Sequence, residues 1–354
     1  MNVTFLIGNG FDLNVGLNTR FSDFLRYYLR VKNEDHRLIR FKNDISKDFD
    51  AWSDAEMMLG IYTGEYKGTE VDDYLFCLSD FRINLSTYLK TELSRINYKT
   101  NNDEIVSVFS SSILKFYSEL PLERRNTIRA VFSSRESEDW NYSFITFNYT
   151  NVLSNCIKAI NDSTKPLSTH RYGSATKNEA IGKLIHIHGA VNKNMIMGVD
   201  NEDQIVNSEF KDNKKFRKRF IKPTTNEELR TLRDRDAFDL INDSEIVCIF
   251  GMSLGETDTT WWNIISSWIQ SKSYNQLIVF VREEEWNEVD PGNVFANEES
   301  VWERFYSLTD FPEDKRDHFE GRIHVVVNSN LFKVNLTSQE ESLENNTIKQ
   351  EKPQ

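Results

Sequence analysis

The sequence predicts an α/β protein built on a mostly parallel sheet, and three observations carry that expectation. Short apolar runs recur at 3–7, 142–147, 184–187, 246–250, 277–281 and 323–327. Several are unbroken, as strands buried on both faces are. Helical stretches separate them, notably 227–240 and 259–270, and strand–helix alternation is the mark of a wound sheet. Four of the runs also end in a glycine or amide turn, at Gly8, Asn148, Gly189 and Gly251.

Taken in order, the first run breaks at Gly8-Asn9-Gly10, and a helix is expected from Ser22 or Asp23, ahead of Phe24, Leu25, Tyr28 and Leu29. Residues 32–50 read as charged and irregular. A helical insertion is expected over about 50–135, because Leu75, Leu78, Phe81, Leu85, Leu89 and Leu93 recur at spacings of three and four. The α/β domain then covers 1–336, and 337–354, lacking aromatics, reads as a disordered tail. The run from Lys211 to Lys222 is basic; it is either the solvated face of a helix or a contact for phosphate, nucleic acid or a partner.

Composition narrows the function. The chain has 354 residues, 43 Lys+Arg and 55 Asp+Glu, a formal net charge of −12 that argues against nucleic acid held by bulk charge. No apolar run approaches the roughly 20 residues that cross a bilayer. The opening MNVTFLIGNG reads as no signal peptide. Cys77, Cys156 and Cys248 lie far apart, with no zinc spacing, which fits a reducing cytoplasm.

The strand-end turns are the candidate sites, because open α/β sheets bind ligands at the carboxyl edge. Gly8-Asn9-Gly10-Phe11-Asp12 is either a tight turn or a close approach to a phosphate, helped by the dipole of a following helix. Position 13 is Leu, so the dinucleotide fingerprint is incomplete. Asn148 is either a helix cap or an amide that holds water or a ribose hydroxyl. His186 and His188 alternate along a strand and so share a face, which invites a metal, but no third ligand stands nearby and no metal is expected. His188, just before Gly189, suits a general base at a strand end. Gly251-Met252-Ser253-Leu254-Gly255 fits the bare G-x-S-x-G pattern, so Ser253 is either a turn residue or a nucleophile.

These motifs carry a resemblance. LIGNGFDLNVGL, then WSDAE from Trp52 to Glu56, FNYTN, HIHG and GMSLGETD, in order from Leu6 to Asp258, resemble the AbiH family of bacteriophage abortive-infection proteins. More distantly, GNG, FNYT, HIHG and GMS follow the order of motifs in the sirtuin-like superfamily. The resemblance implies a sirtuin-like, Rossmann-type core with NAD⁺ as substrate and nicotinamide as leaving group. It implies Asn148 and His188 as catalytic residues, with Gly8, Asn9 and Gly10 near the pyrophosphate and Ser253 at a ribose. Asp12 and Asp258 are expected at the crevice rim. Thr150 stands where the superfamily has Asp, and the zinc cysteines of its deacetylases are absent. A homo-oligomer or a phage-derived trigger is expected as partner. A dinucleotide-binding sensor that does not cleave, and a toxin directed at nucleic acid, are the rival readings.

Overall fold

The computed structural model describes residues 1–66, 70–283, 291–319 and 321–337. Apart from Thr337, the expected tail lies outside the described residues. The chain opens with β1 (Asn2–Ile7) and a short α1 (Gly10–Asn14). Six helices follow: α2 (Phe21–Arg30), α3 (His36–Lys47), α4 (Ala55–Glu65), α5 (Val71–Ser94), α6 (Asn102–Leu114) and α7 (Leu122–Ser134). After them come β2 (Trp140–Thr146), α8 (Val152–Ser163), β3 (Ser168–Tyr172) and β4 (Ala175–His186). Four more helices, α9 (Ser208–Asp212), α10 (Lys214–Phe220), α11 (Lys222–Glu228) and α12 (Arg233–Asn242), precede β5 (Ile246–Phe250). The remainder is α13 (Thr259–Ser271), β6 (Gln276–Val281), α14 (Pro291–Ser307), α15 (Arg316–Phe319) and β7 (Ile323–Val327).

The strands form one sheet in the order β3-β4-β2-β1-β5-β6-β7. Every pairing is parallel except that of β3 with β4. The six apolar runs are all strands of this sheet. β1 is central and buried, and its side chains alternate between the two faces. Val3, Phe5 and Ile7 join a core with α6, α7 and α8, whereas Leu6 joins one with α12, α13 and α14. On the first face Phe5 stacks on Phe144 of β2, ring centroids 5.2 Å apart.

A third core lies away from the sheet, among the helices and the loop that follows β4. Phe24 and Tyr28 of α2, Phe41 of α3, Tyr62 of α4 and Phe81 of α5 pack with Phe216 and Phe220 of α10. The helices expected over 50–135 therefore divide. α4 and α5 build this layer with α2 and α3, while α6 and α7 cover the sheet.

Three local expectations need correction. The stretch 32–50 is not irregular. Leu38, Phe41 and Ile45 of α3 present one apolar stripe to the helical core, and the Asp35 side chain caps the helix by accepting from the Arg37 N–H at 2.9 Å. The single helix expected over 227–240 is two, α11 and α12, parted by Arg230 in the left-handed region at φ 52°. β3 is an additional strand with largely exposed side chains; as an antiparallel edge it needs no apolar run. Among the described residues, no helix is long and apolar enough to cross a membrane.

Candidate active site

β4, β2, β1 and β5 are neighbours and parallel, so their carboxyl ends lie side by side. The chain steps from β1 to β2 and β4 on one side, then returns to β5 on the other. Such a reversal of strand order opens a crevice at the strand ends. Here the crevice is a cavity of about 340 Å³, within the range of small-molecule sites. Gly8, Asn9, Asp12, Asn148, His188, Ser253 and Asp258 line it, together with Arg20, Asp54 and Glu56 from the helical layer. Seven of the eight expected site residues thus meet in one cavity.

Gly10 is the exception. Its N–H donates to the Gly251 carbonyl at 2.7 Å, and a Cβ on Gly10 would stand 2.6 Å from Gly251 Cα. Gly251 itself takes φ 67°. The paired glycines seat the β1 turn against the β5 turn. The helix after this turn, α1, has only five residues, so little dipole is available there for an anion.

His188 and His186 part company. β4 ends at His186, whose Nε2 lies 2.6 Å from Ser154 Oγ on α8. His188 follows the strand and lines the cavity instead, beside the Phe147 ring. Gly189 makes this placement possible: it turns at φ 73°, where a Cβ would collide with the Asn194 carbonyl. The two histidines do not share a face. Among the described residues, no group of three or more His, Cys, Asp or Glu is arranged to hold a metal.

Three polar groups in the crevice are buried with atoms that make no hydrogen bond of ordinary geometry. They are Asn148 Nδ2, both ring nitrogens of His188, and Asp12 Oδ1. Unpaired buried polar atoms are costly, and at a cavity wall they mark where a ligand or water is received. Asp12 is not at the rim. It is 1% exposed, and its Oδ2 accepts from Thr150 Oγ1 at 2.8 Å. Burial pushes its carboxyl up to about 7; the Thr150 hydroxyl and the neighbouring Asn148 amide hold it below where burial alone would put it.

The opposite wall is paired. Lys222 Nζ, fully enclosed, donates to Glu56 Oε2 at 2.9 Å and to Asp258 Oδ1 at 3.3 Å. Glu56 Oε1 also accepts from the Tyr149 hydroxyl at 2.5 Å. Burial would raise the Asp258 carboxyl, but the Lys222 charge, with help from His188, draws it down to about 2. His188 Nε2 stands 3.8 Å from Asp258 Oδ1, too long for a hydrogen bond.

Lys222 therefore leaves the basic run. Elsewhere in that run Lys211, Lys215, Arg217 and Lys218 pair with Asp203, Asp72, Glu202 and Glu228. Sequence reasoning missed Glu56, Lys222, Tyr149 and Arg20 as members of the site. The WSDAE stretch, ending at Glu56, was the available signal; nothing distinguishes Lys222 from its basic neighbours.

A cavity at the parallel strand ends, roofed by helices, lies where open α/β sheets receive their ligands. A family model described as Bacteriophage abortive infection AbiH matches residues 4–280. That is most of the chain, which belongs to the AbiH family, and membership points to a part in defence against phage by abortive infection. No curated protein matches the chain.

Proposed function

We propose that this protein is an abortive-infection effector that hydrolyses NAD⁺ to nicotinamide and ADP-ribose in the strand-end crevice. One observation carries the reading: the amide of Asn148 and the imidazole of His188 arrive from different strands at one cavity, both buried, with no hydrogen bond of ordinary geometry at Asn148 Nδ2 or at either imidazole nitrogen. The order of the GNG, FNYT, HIHG and GMS turns supports it further. So does the charge of the wall. Cleavage of the glycosidic bond develops positive charge on the ribose, and an ionised Asp258 favours that cation. Asn148 holds the water and the nicotinamide ribose in place. His188 accepts a proton from the water or from a ribose hydroxyl. Gly8 and Asn9 face the pyrophosphate, with Arg20 at the crevice wall as its nearest cation, and Ser253 meets a ribose. The pyridinium leaves as a neutral amide, so the leaving group needs no proton.

The test is nicotinamide release by purified protein and NAD⁺ content in infected cells. Asn148→Ala and His188→Ala should each lower the rate by about 10²–10⁴-fold while the protein stays folded. His186→Ala, outside the cavity, is the control and should stay active. If both crevice variants remain fully active and toxic, the hydrolase reading falls and a nucleotide-binding sensor replaces it.

A further inference from the structure

We propose that Asp12 is a catalytic residue of this site, its free Oδ1 taking the proton of the water that Asn148 holds. The inference rests on the hydrolase reading and divides its proton traffic between two groups. Water and the ribose hydroxyl each need an acceptor, and His188 alone leaves that choice open.

The geometry comes from adjacent strands. Asp12 follows β1 and Asn148 follows β2, and these strands run parallel with Ile7 opposite Thr146. Both residues line the cavity. The carboxyl is clamped on one side: Oδ2 accepts from Thr150 Oγ1, while Oδ1 makes no hydrogen bond of ordinary geometry and has the Asn148 amide beside it. The Asn148 Nδ2 likewise makes none and lies close enough to lower the Asp12 carboxyl, so a water in the cavity beside them would meet a donor and an acceptor together. The carboxyl that the superfamily carries at position 150 is absent, yet Thr150 fixes a carboxyl at the same corner through its hydroxyl.

The electrical surroundings suit a base. The titratable groups facing Asp12 are the Cys156 thiol of α8 and the Tyr98 phenol before α6, each pushed up by burial and so uncharged near neutrality. Across the cavity stand His188, Asp258, Glu56, Asp54 and Arg20. Among the described residues no ion pair reaches Asp12, whose carboxyl titrates at about 7. A base poised near ambient pH combines availability with driving force.

The step balances. The water oxygen bonds to C1′ of the ribose. The C1′–N bond breaks with its electron pair going to the pyridinium nitrogen, which becomes neutral. The water proton passes to Asp12 Oδ1 and leaves to solvent after the products do.

Nicotinamide release is measured from about pH 5 to about pH 9 for wild type and Asp12→Asn. In the wild type kcat should rise through an acid limb centred near pH 7 and then level. Asp12→Asn, which keeps an acceptor for Thr150, should lose about 10²–10⁴-fold in kcat, more than it changes KM. An unfolding midpoint no lower than wild type at about pH 8 excludes misfolding as the cause. Retention of kcat within about threefold by Asp12→Asn overturns the proposal, as does a wild-type acid limb absent or centred below about pH 6. The second readout needs no variant. A wild type inactive both as pure protein and in infected cells overturns the hydrolase reading, and this inference with it. Active wild type with active Asp12→Asn overturns this inference alone.

Discussion

The two walls of the crevice hold carboxyls in opposite states. At one corner Asp12 faces a hydroxyl, an amide and apolar side chains, and its pKa climbs to about 7. At the other Asp258 faces the Lys222 ammonium, and its pKa falls to about 2. Burial raises both, so it is the partner that sets them apart. The paired corner works as a staple. Lys222 begins α11, Glu56 belongs to α4 and Asp258 follows β5, so one ammonium ties the helical layer to the sheet edge. The other corner has no such cation among the described residues, and its carboxyl is the one proposed to act in the reaction.

Removing the shared cation is the strongest way to erase the difference. Lys222→Met fills much of the same volume but strands Glu56 and Asp258 without a counter-charge. Breaking a buried pair from one side typically costs about 3–5 kcal/mol, and that loss is expected near neutral pH. It should shrink below about pH 4, where both acids can take protons. Urea unfolding at the two pH values measures both numbers. A loss under about 1 kcal/mol, equal at both pH values, would mean that the staple is ornamental.

The unpaired corner gives the opposite sign. Folded Asp12 holds its proton up to about pH 7, whereas an unfolded carboxyl releases it near pH 4. Folding therefore takes up a proton between these values. Its stabilising effect is whole below about pH 4 and is lost as pH rises through about 7. Asp12→Asn has no proton to lose. It should match wild type near pH 4 and exceed it by about 4 kcal/mol near pH 8. A variant less stable than wild type at the higher pH would place a cation near Asp12 that the geometry lacks.

The contrast also marks what the sequence could disclose. The strands were legible because a buried parallel strand must be apolar throughout, as residues 246–250 are. The turns were legible because glycine and amide residues follow such runs. Adjacency of four strand ends then brought Asp12, Asn148, His188 and Asp258 together without any contact being known. The staple was hidden for a different reason. Glu56 and Lys222 are 166 residues apart, and one lysine in a basic run looks like any other until α10 packs Phe216 and Phe220 into the helical core. The depth of Asp12 was hidden too. Its sequence neighbours suggest a turn at the rim, whereas the β1 turn packs against Gly251 and Asp12 is buried in the cavity wall. β3 escaped notice because an exposed antiparallel edge has no apolar signature.

The finest distinction lies within the unpaired corner. Thr150→Val keeps the branched shape and deletes the one hydroxyl that donates to Asp12 Oδ2. While Asp12 is protonated, near pH 5, the loss is that of a neutral buried hydrogen bond, about 1 kcal/mol. Above about pH 7 the carboxyl ionises, and a hydrogen bond to a charge is worth more, about 1.5–3 kcal/mol. The cost should therefore grow with pH, and the Asp12 pKa should move further above about 7, because the hydroxyl favours the ionised form. Stability profiles of wild type and Thr150→Val would show curves that diverge as pH rises. Parallel curves would mean that the hydroxyl only fills space, leaving burial alone to set the proton affinity of Asp12.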